Sequence, residues 1–125
     1  MTLSEKQQRF ALLICSLIQW ADKIGYKVTL GEAYRTPEQA ALNAQKGTGI
    51  SNSLHTIRLA IDLNLFKNGV YLTNSEDYQM LGEYWKSLDP DCAWGGDFKQ
   101  FKAADGSWKG GPDGNHFSLA HQGIK

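Results

Sequence analysis

Residues 57–65 read Ile57-Arg58-Leu59-Ala60-Ile61-Asp62-Leu63-Asn64-Leu65. Apolar side chains fill every odd position, while Arg58, Ala60, Asp62 and Asn64 fill the even ones. Side chains alternate across a strand, so this stretch predicts a strand with one face in the core. The other face carries Asp62 beside the small Ala60. Downstream, Lys67-Asn68-Gly69 before Val70-Tyr71-Leu72 predicts a hairpin turn. Thr73 and Glu76 have the spacing of a capping box, and a helix runs from there to about Ser87. Its apolar side is Tyr78, Leu81, Tyr84, Trp85 and Leu88, and Pro90 stops it. Beyond Asp91 the chain is rich in Gly, Trp, Phe and Lys, and predicts turns with short strands. Upstream, Ser4 and Gln7 suggest a capping box for a helix over about 4–24. Phe10, Leu13, Leu17 and Ile24, with Ile14, Ile18 and Ala21, form its stripe, and Gly25 ends it. Residues 26–35 predict a short strand with Val28, Leu30 and Tyr34 on one face and Thr29, Gly31, Ala33 and Arg35 on the other. Pro37 opens a second helix with Thr36 as N-cap and Gly47 past its end, and a Gly/Thr/Ser/Asn loop covers 47–53. Helices and strands mixed with hairpins in this length define one α+β domain over residues 1–125, an antiparallel sheet core with flanking helices.

The 125 residues carry 13 Lys+Arg against 13 Asp+Glu, for a formal charge of zero and a pI near 6.8. That balance argues against a protein that coats nucleic acid or an acidic membrane. No apolar run reaches the ~18–20 residues of a membrane span, so membrane insertion is not expected. The first ten residues, MTLSEKQQRF, show no basic and apolar leader pattern. Two cysteines, Cys15 and Cys92, are too few for a disulfide framework and read as reduced thiols, one of them core. Trp20, Trp85 and Trp94 read as core residues. The stretch 98–111, with Lys99, Lys102 and Lys109 among aromatics, reads as a solvated loop.

Chemistry concentrates at few positions. The histidines are His55, His116 and His121. His55 precedes Asp62 by seven residues. On a continuous strand an odd separation sends the two to opposite faces, and on a continuous helix they stand about 10 Å apart. They converge only if His55 lies in a loop and the regular strand starts after it. Two imidazoles, one carboxylate and an open fourth position make a catalytic zinc ligand set. His55, Asp62 and one C-terminal histidine meet it, with Asp113 three residues before His116 as a second carboxylate. Three histidines among many acidic residues also arise as surface or hydrogen-bonded side chains, and spacing alone leaves both readings open.

The pattern Ser53-x-His55-(x)6-Asp62, with Ala60 two before the Asp, followed by Asp113-x-x-His116-Phe117, resembles the zinc peptidases of bacterial cell walls. These are the D-Ala-D-Ala carboxypeptidase and L-alanyl-D-glutamate endopeptidase family. Tyr34-Arg35-Thr36-Pro37-Glu38-Gln39 and Trp94-Gly95-Gly96-Asp97-Phe98 extend the likeness over about 30–120, and the size is similar to single-domain phage endolysins. The resemblance implies a zinc cleft in which His55, Asp62 and His116 hold Zn2+. It implies Asp113 as general base, Arg35 as the group that holds a substrate carbonyl or carboxylate and steadies charge on the attacked oxygen, Ser53 as a substrate hydrogen-bonding residue and Gln39 as part of the pocket wall. The implied substrate is the peptidoglycan stem peptide, cut at L-Ala–D-Glu by a monomer. It would accumulate in the host cytoplasm and reach the wall once the membrane is breached. A D-Ala-D-Ala carboxypeptidase or dipeptidase of the same family, and a non-catalytic metal-stabilised binding module, are the alternatives. One departure stands out. The family pattern usually has Gly three residues after the first His, and here that position is Arg58. Alternation puts Arg58 on the strand face of Asp62, as a cleft residue that selects an acidic substrate or as a solvated arginine.

Overall fold

The computed structural model describes residues 1–47 and 52–125, so most of the loop predicted at 47–53 lies outside the described residues. The chain begins with α1 (Leu3–Lys23), β1 (Lys27–Leu30) and α2 (Pro37–Gln45). A 3₁₀ turn, Leu54–Ile57, leads into β2 (Ala60–Lys67), which returns as β3 (Val70–Leu72). A second 3₁₀ turn, Ser75–Tyr78, opens α3 (Gln79–Leu88). Then come β4 (Cys92–Trp94), a third 3₁₀ turn at Gly95–Asp97, the hairpin of β5 (Gln100–Lys102) and β6 (Trp108–Gly110), and β7 (His116–Leu119). The main sheet runs β1-β2-β7-β4 with β3 also on β2, every pair antiparallel. The α+β architecture with an antiparallel core is the one the alternation at 57–65 predicts.

The strand β2 organises the molecule. Leu63 and Leu65 are fully buried in one cluster with Phe10, Leu17, Leu81, Trp85 and Phe117, which joins the sheet to α1 and α3. Trp85 sits at its centre, edge-on to Phe10 and Phe117, and its Nε1 donates to the carbonyls of Ala93 (3.0 Å) and Ser118 (3.1 Å). The even residues Asp62, Asn64 and Phe66 are only half-buried, on the face turned from that cluster. Opposite residues of an antiparallel pair share a face, so exposed Thr29 joins Asn64, Tyr71 joins Phe66 and His116 joins Asp62.

Four expectations shift. The strand begins at Ala60 and not at Ile57, because Arg58 takes φ 57° and ψ 37°, a left-handed conformation that breaks the pleat. Arg58 therefore shares no strand face with Asp62; its guanidinium lies 4.0 Å from the centroid of the Tyr34 ring. The strand predicted over 26–35 is regular only from Lys27 to Leu30, and Leu30 and Tyr34 on its supposed apolar face are exposed. After it Gly31 N–H still donates to Asp62 O (2.8 Å), and an added Cβ at Gly31 would lie 2.8 Å from that oxygen. Both capping boxes lie elsewhere. Thr2 and Glu5 bond each other's backbone N–H groups at 3.1 and 2.8 Å, with Ser4 inside the helix and Ile24 at its exposed C-cap. The second box is Asn74 with Asp77, whose carboxylate accepts from Asn74 N–H (3.2 Å), and one 3₁₀ turn precedes α3.

The other predicted elements form as read. Thr36 caps α2 by accepting from Gln39 N–H (3.1 Å). Asn68 and Gly69, at φ 51° and 78°, make the two-residue hairpin turn, the mirror-image type whose twist suits paired strands. Trp94 is buried and donates from Nε1 to Gly114 O (2.7 Å). Its ring is clamped by two glycines, since a Cβ on either Gly82 or Gly96 would come 2.1 Å from it. Trp20 is half-buried, stacked on Tyr84 at 4.2 Å between centroids. Cys92 is the core thiol and Cys15 is exposed. No helix among the described residues is long and apolar enough to cross a membrane.

Candidate metal centre

The break at Arg58 brings the two halves of the His55–Asp62 motif together. Ser53 caps the 3₁₀ turn, its Oγ accepting from His55 N–H (3.2 Å), and Leu59 N–H closes the turn on Leu54 O (3.1 Å). His55 is thereby buried at 3% exposure while Asp62 enters from the open face of β2. The pairing Asp62↔His116 delivers the third group. One donor atom from each of His55, Asp62 and His116 lies within 4.8 Å of the other two. His121 is instead part of a bridge to Ile124 at the C-terminal end.

The donor atoms fit a cation. Asp62 Oδ1 and His116 Nε2 are buried and have no hydrogen-bond partner among the described residues, an arrangement costly to leave unmatched. His55 Nε2 and His116 Nδ1 approach Asp62 Oδ1 at 3.5 and 3.7 Å. His55 Nδ1 is 3.1 Å from Ala33 O. A backbone carbonyl accepts only from N–H, so that contact places the proton on Nδ1 and leaves Nε2 a lone pair, the usual outer support of a ligating histidine. Burial works to raise the Asp62 pKa, but the imidazoles of His116 and His55 more than offset it and hold the carboxyl at about 2. The carboxylate is therefore ionised. Two imidazole nitrogens and one carboxylate oxygen are the donor types zinc takes in open catalytic sites.

Asp113 lies beside this cluster. Its N–H donates to Gly95 O (2.8 Å) and its carbonyl accepts from His116 N–H (3.1 Å), so one tight turn fixes it relative to the third donor. Gly95 has no room for a side chain, since a Cβ would sit 2.0 Å from Asp113 O and 2.7 Å from His116 Cβ. Burial raises the Asp113 pKa, the His116 imidazole opposes it, and the Asp62 carboxylate adds to the rise.

Arg35 reaches the cluster from the other flank of β2. Its N–H donates to His55 O (3.1 Å), so Ala33 and Arg35 together bracket the first histidine. Glu32, which the sequence reading passed over, accepts from Arg35 Nε (2.9 Å) and from its Nη2 through the same oxygen. The side chain of Arg35 is 15% exposed, so the guanidinium is held with little freedom. Ser53 is buried and already engaged in the His55 turn, and Gln39 bonds Asn43 along its own helix (2.6 Å). Ser53 thus meets the cluster through the His55 backbone, and Gln39 makes no described contact with it. Glu32 carried no signal in the sequence; its role comes from the folded contact with Arg35. The left-handed backbone at 58 was signalled by the family's glycine.

An α+β domain gathering a histidine from a 3₁₀ turn with a histidine and a carboxylate from adjacent strands, and another carboxylate beside them, has the layout of a metal-dependent hydrolase. A family model described as D-alanyl-D-alanine carboxypeptidase matches residues 46–119, and the chain belongs to that family of zinc-dependent peptidases. Among solved structures it is similar to the Serratia marcescens L-Ala D-Glu endopeptidase ChiX, with TM-score 0.62, 19% identity, and 83% of this chain and 75% of that one covered. It is also similar to the E175A mutant of the vancomycin resistance D,D-pentapeptidase VanY in complex with Zn(II). There the TM-score is 0.54, the identity 20%, and the coverage 89% of this chain and 70% of that one. No curated protein matches the chain. The chain is thus a metallopeptidase of a peptidoglycan-acting family.

Proposed function

We propose that residues 1–125 work as one unit, a zinc-dependent endopeptidase that cuts the L-Ala–D-Glu bond of the peptidoglycan stem peptide in the manner of a phage endolysin. The observation that carries this reading is the cluster of His55, Asp62 and His116, two of whose buried donor atoms have no partner among the described residues, with Asp113 fastened one turn away. Bound by those three side chains, zinc supplies Lewis acidity that lowers the pKa of a water to about 7 and polarises a carbonyl.

The chain's own groups do the rest. The Asp113 carboxylate accepts the proton of the attacking water and returns it to the leaving amine; a raised pKa suits a group that must do both near neutral pH. Arg35, aimed by Glu32, neutralises the D-Glu carboxylate beside the scissile amide and steadies charge on the attacked oxygen. His55 is kept in one tautomer by Ala33 O, and Ser53 fixes the turn that carries it. The endopeptidase reading is favoured over the carboxypeptidase one because, among the described residues, the centre opens onto a sheet face where Asp62 and Asn64 are half-exposed and Thr29 is exposed. An internal bond needs room on both sides, whereas a terminal carboxylate asks for a closed end.

The test is mass spectrometry of muropeptides released from purified peptidoglycan. New D-Glu amino termini are the expected product. Release of D-alanine with L-Ala–D-Glu intact would overturn the bond assignment in favour of a D,D-carboxypeptidase.

A further inference from the structure

The two flanks of β2 differ in chemistry at the level of the metal centre. On the β1 side stand Arg35 and Glu32, with His55 between the backbone contacts of residues 33 and 35. On the β3 and β7 side a cavity of about 220 Å³ opens directly against Asp113. Tyr71, Thr73, Ser75 and Asn115 line it, and Asp113 is the one charged residue among its described lining. Its wall is built closely. Ser75 Oγ accepts from Gly114 N–H (3.0 Å), and a Cβ at Gly114 would come 2.5 Å from Ser75 Cα. Tyr71 is 49% exposed, and its ring lies 5.1 Å from that of Phe66 on the open sheet face.

Nothing in the mechanism uses this cavity. Its lining offers hydroxyls, an amide and an aromatic face, and no cation. A ligand rich in carboxylates would meet Asp113 with nothing to neutralise it. A neutral ring bearing hydroxyl and acetamido groups would find hydrogen-bond partners and an aromatic surface for its C–H face.

We propose that this cavity is the subsite for the sugar that carries the stem peptide, an N-acetylmuramyl residue whose lactyl carboxyl is tied up as the amide to L-Ala. The inference rests on the endopeptidase reading and deepens it, because it sets the direction of the substrate. The acidic D-Glu side lies toward Arg35 and the glycan side toward Tyr71, with the scissile amide over the metal centre. An extended residue spans roughly 3.5 Å. One L-Ala therefore separates the attacked carbonyl from the lactyl amide, which puts the sugar against the residues flanking Asp113.

The experiment has two readouts on the zinc-loaded protein. The first is binding of N-acetylmuramyl-L-alanine, which has no scissile bond, followed by amide NMR shifts. Shifts at Tyr71, Thr73, Ser75 and Asn115 are expected, with Tyr71→Ala weakening the dissociation constant about tenfold, the order of one lost aromatic contact. The second is the ratio of kcat/KM for a sugar-bearing stem peptide over the same peptide capped by an acetyl group. The ratio should exceed about ten in the wild type and fall toward one in Tyr71→Ala and Thr73→Val. Absence of shifts at those four residues, shifts there caused instead by the sugar-free acidic peptide, or an unchanged ratio in both variants overturns the subsite. If the fragment binds as expected but no L-Ala–D-Glu bond is ever cut, the subsite stands and the bond assignment falls.

Discussion

Arg58 shows how one residue type can hide a conformation. At φ 57° an L-residue with a Cβ is strained by about 1–2 kcal/mol, and the family's glycine at this position avoids that strain. The guanidinium over the Tyr34 ring recovers part of it, an exposed cation–π contact contributing about 0.5–1 kcal/mol. Arg58→Gly should therefore change stability by less than about 1 kcal/mol, as strain relief, the lost stack and added unfolded-state freedom offset. Arg58→Val, which keeps the strain and adds β-branching, should cost about 2 kcal/mol or more in urea titrations. The site residues make a sharper pair. His116→Ala should lose stoichiometric zinc and activity together. Asp113→Ala should retain zinc by elemental analysis while kcat falls about 10²–10⁴-fold. Zinc loss in the second variant, or near wild-type rates, would contradict the separation of ligand from base. At this scale the His55, Asp62 and His116 that the fold gathers were legible through the resemblance of two motifs, since residue type and spacing alone left the third histidine open. Glu32 was not, since its role depends on where its carboxylate meets Arg35, which no spacing rule states.

Among the elements, the alternating run was readable and its start was not. Period two identifies a strand wherever it is regular, but Ile57 and Leu59 continue the pattern through a turn that faces the same core. Burial set the pattern there and hydrogen bonding did not. The segment after β1 misled for the opposite reason: its backbone still bonds β2 through Gly31 and Glu32, yet Tyr34 stays exposed and Glu32 pairs with Arg35. The connection from α3 into β4 depends on Asp89, which ties α1 to this corner. Asp89 Oδ2 lies 2.6 Å from Arg9 Nη2, and its other oxygen accepts from Asp91 N–H (2.9 Å). Burial opposes ionisation of Asp89, but the Asp91 N–H and Arg9 outweigh it and lower the pKa. A lowered folded-state pKa gives stability that is present above the unfolded value near 3.9 and is lost as pH falls through the folded one. Asp89→Asn should thus lower Tm most at pH 6–7, with the gap to wild type closing toward pH 3. A gap independent of pH would show that shape and not charge holds the corner.

Across the whole molecule, one core and one metal centre share β2, so ligand loss and unfolding are coupled. A metal that binds only the native chain stabilises it in proportion to the logarithm of one plus the ratio of free metal to its dissociation constant. Chelation should lower Tm by several degrees, and zinc alone should restore it. The thiols report the same folding unit. Burial, with the Asp89 carboxylate adding to it, pushes the Cys92 pKa up to about 12, while Cys15 is exposed. A thiolate-selective reagent at pH 8 should therefore label one cysteine in the native protein and both in denaturant; rapid native labelling of Cys92 would mean that the α3–β4 corner opens locally. What the sequence conveyed at this scale was the class of fold and the order of its parts. The β2 flanks and the cavity beside Asp113 arise from the register of strands 116–119 and 70–72, which only the folded chain defines. The indole of Trp94, held between Gly82 and Gly96 and bonded to the loop that bears Asp113, has a further consequence for heredity. The three positions form a single unit of inheritance. With the tryptophan in place neither glycine can drift, and a smaller residue at 94 frees both to vary while leaving a void. Changes there should reach descendants in sets, each neutral only against the background of the others.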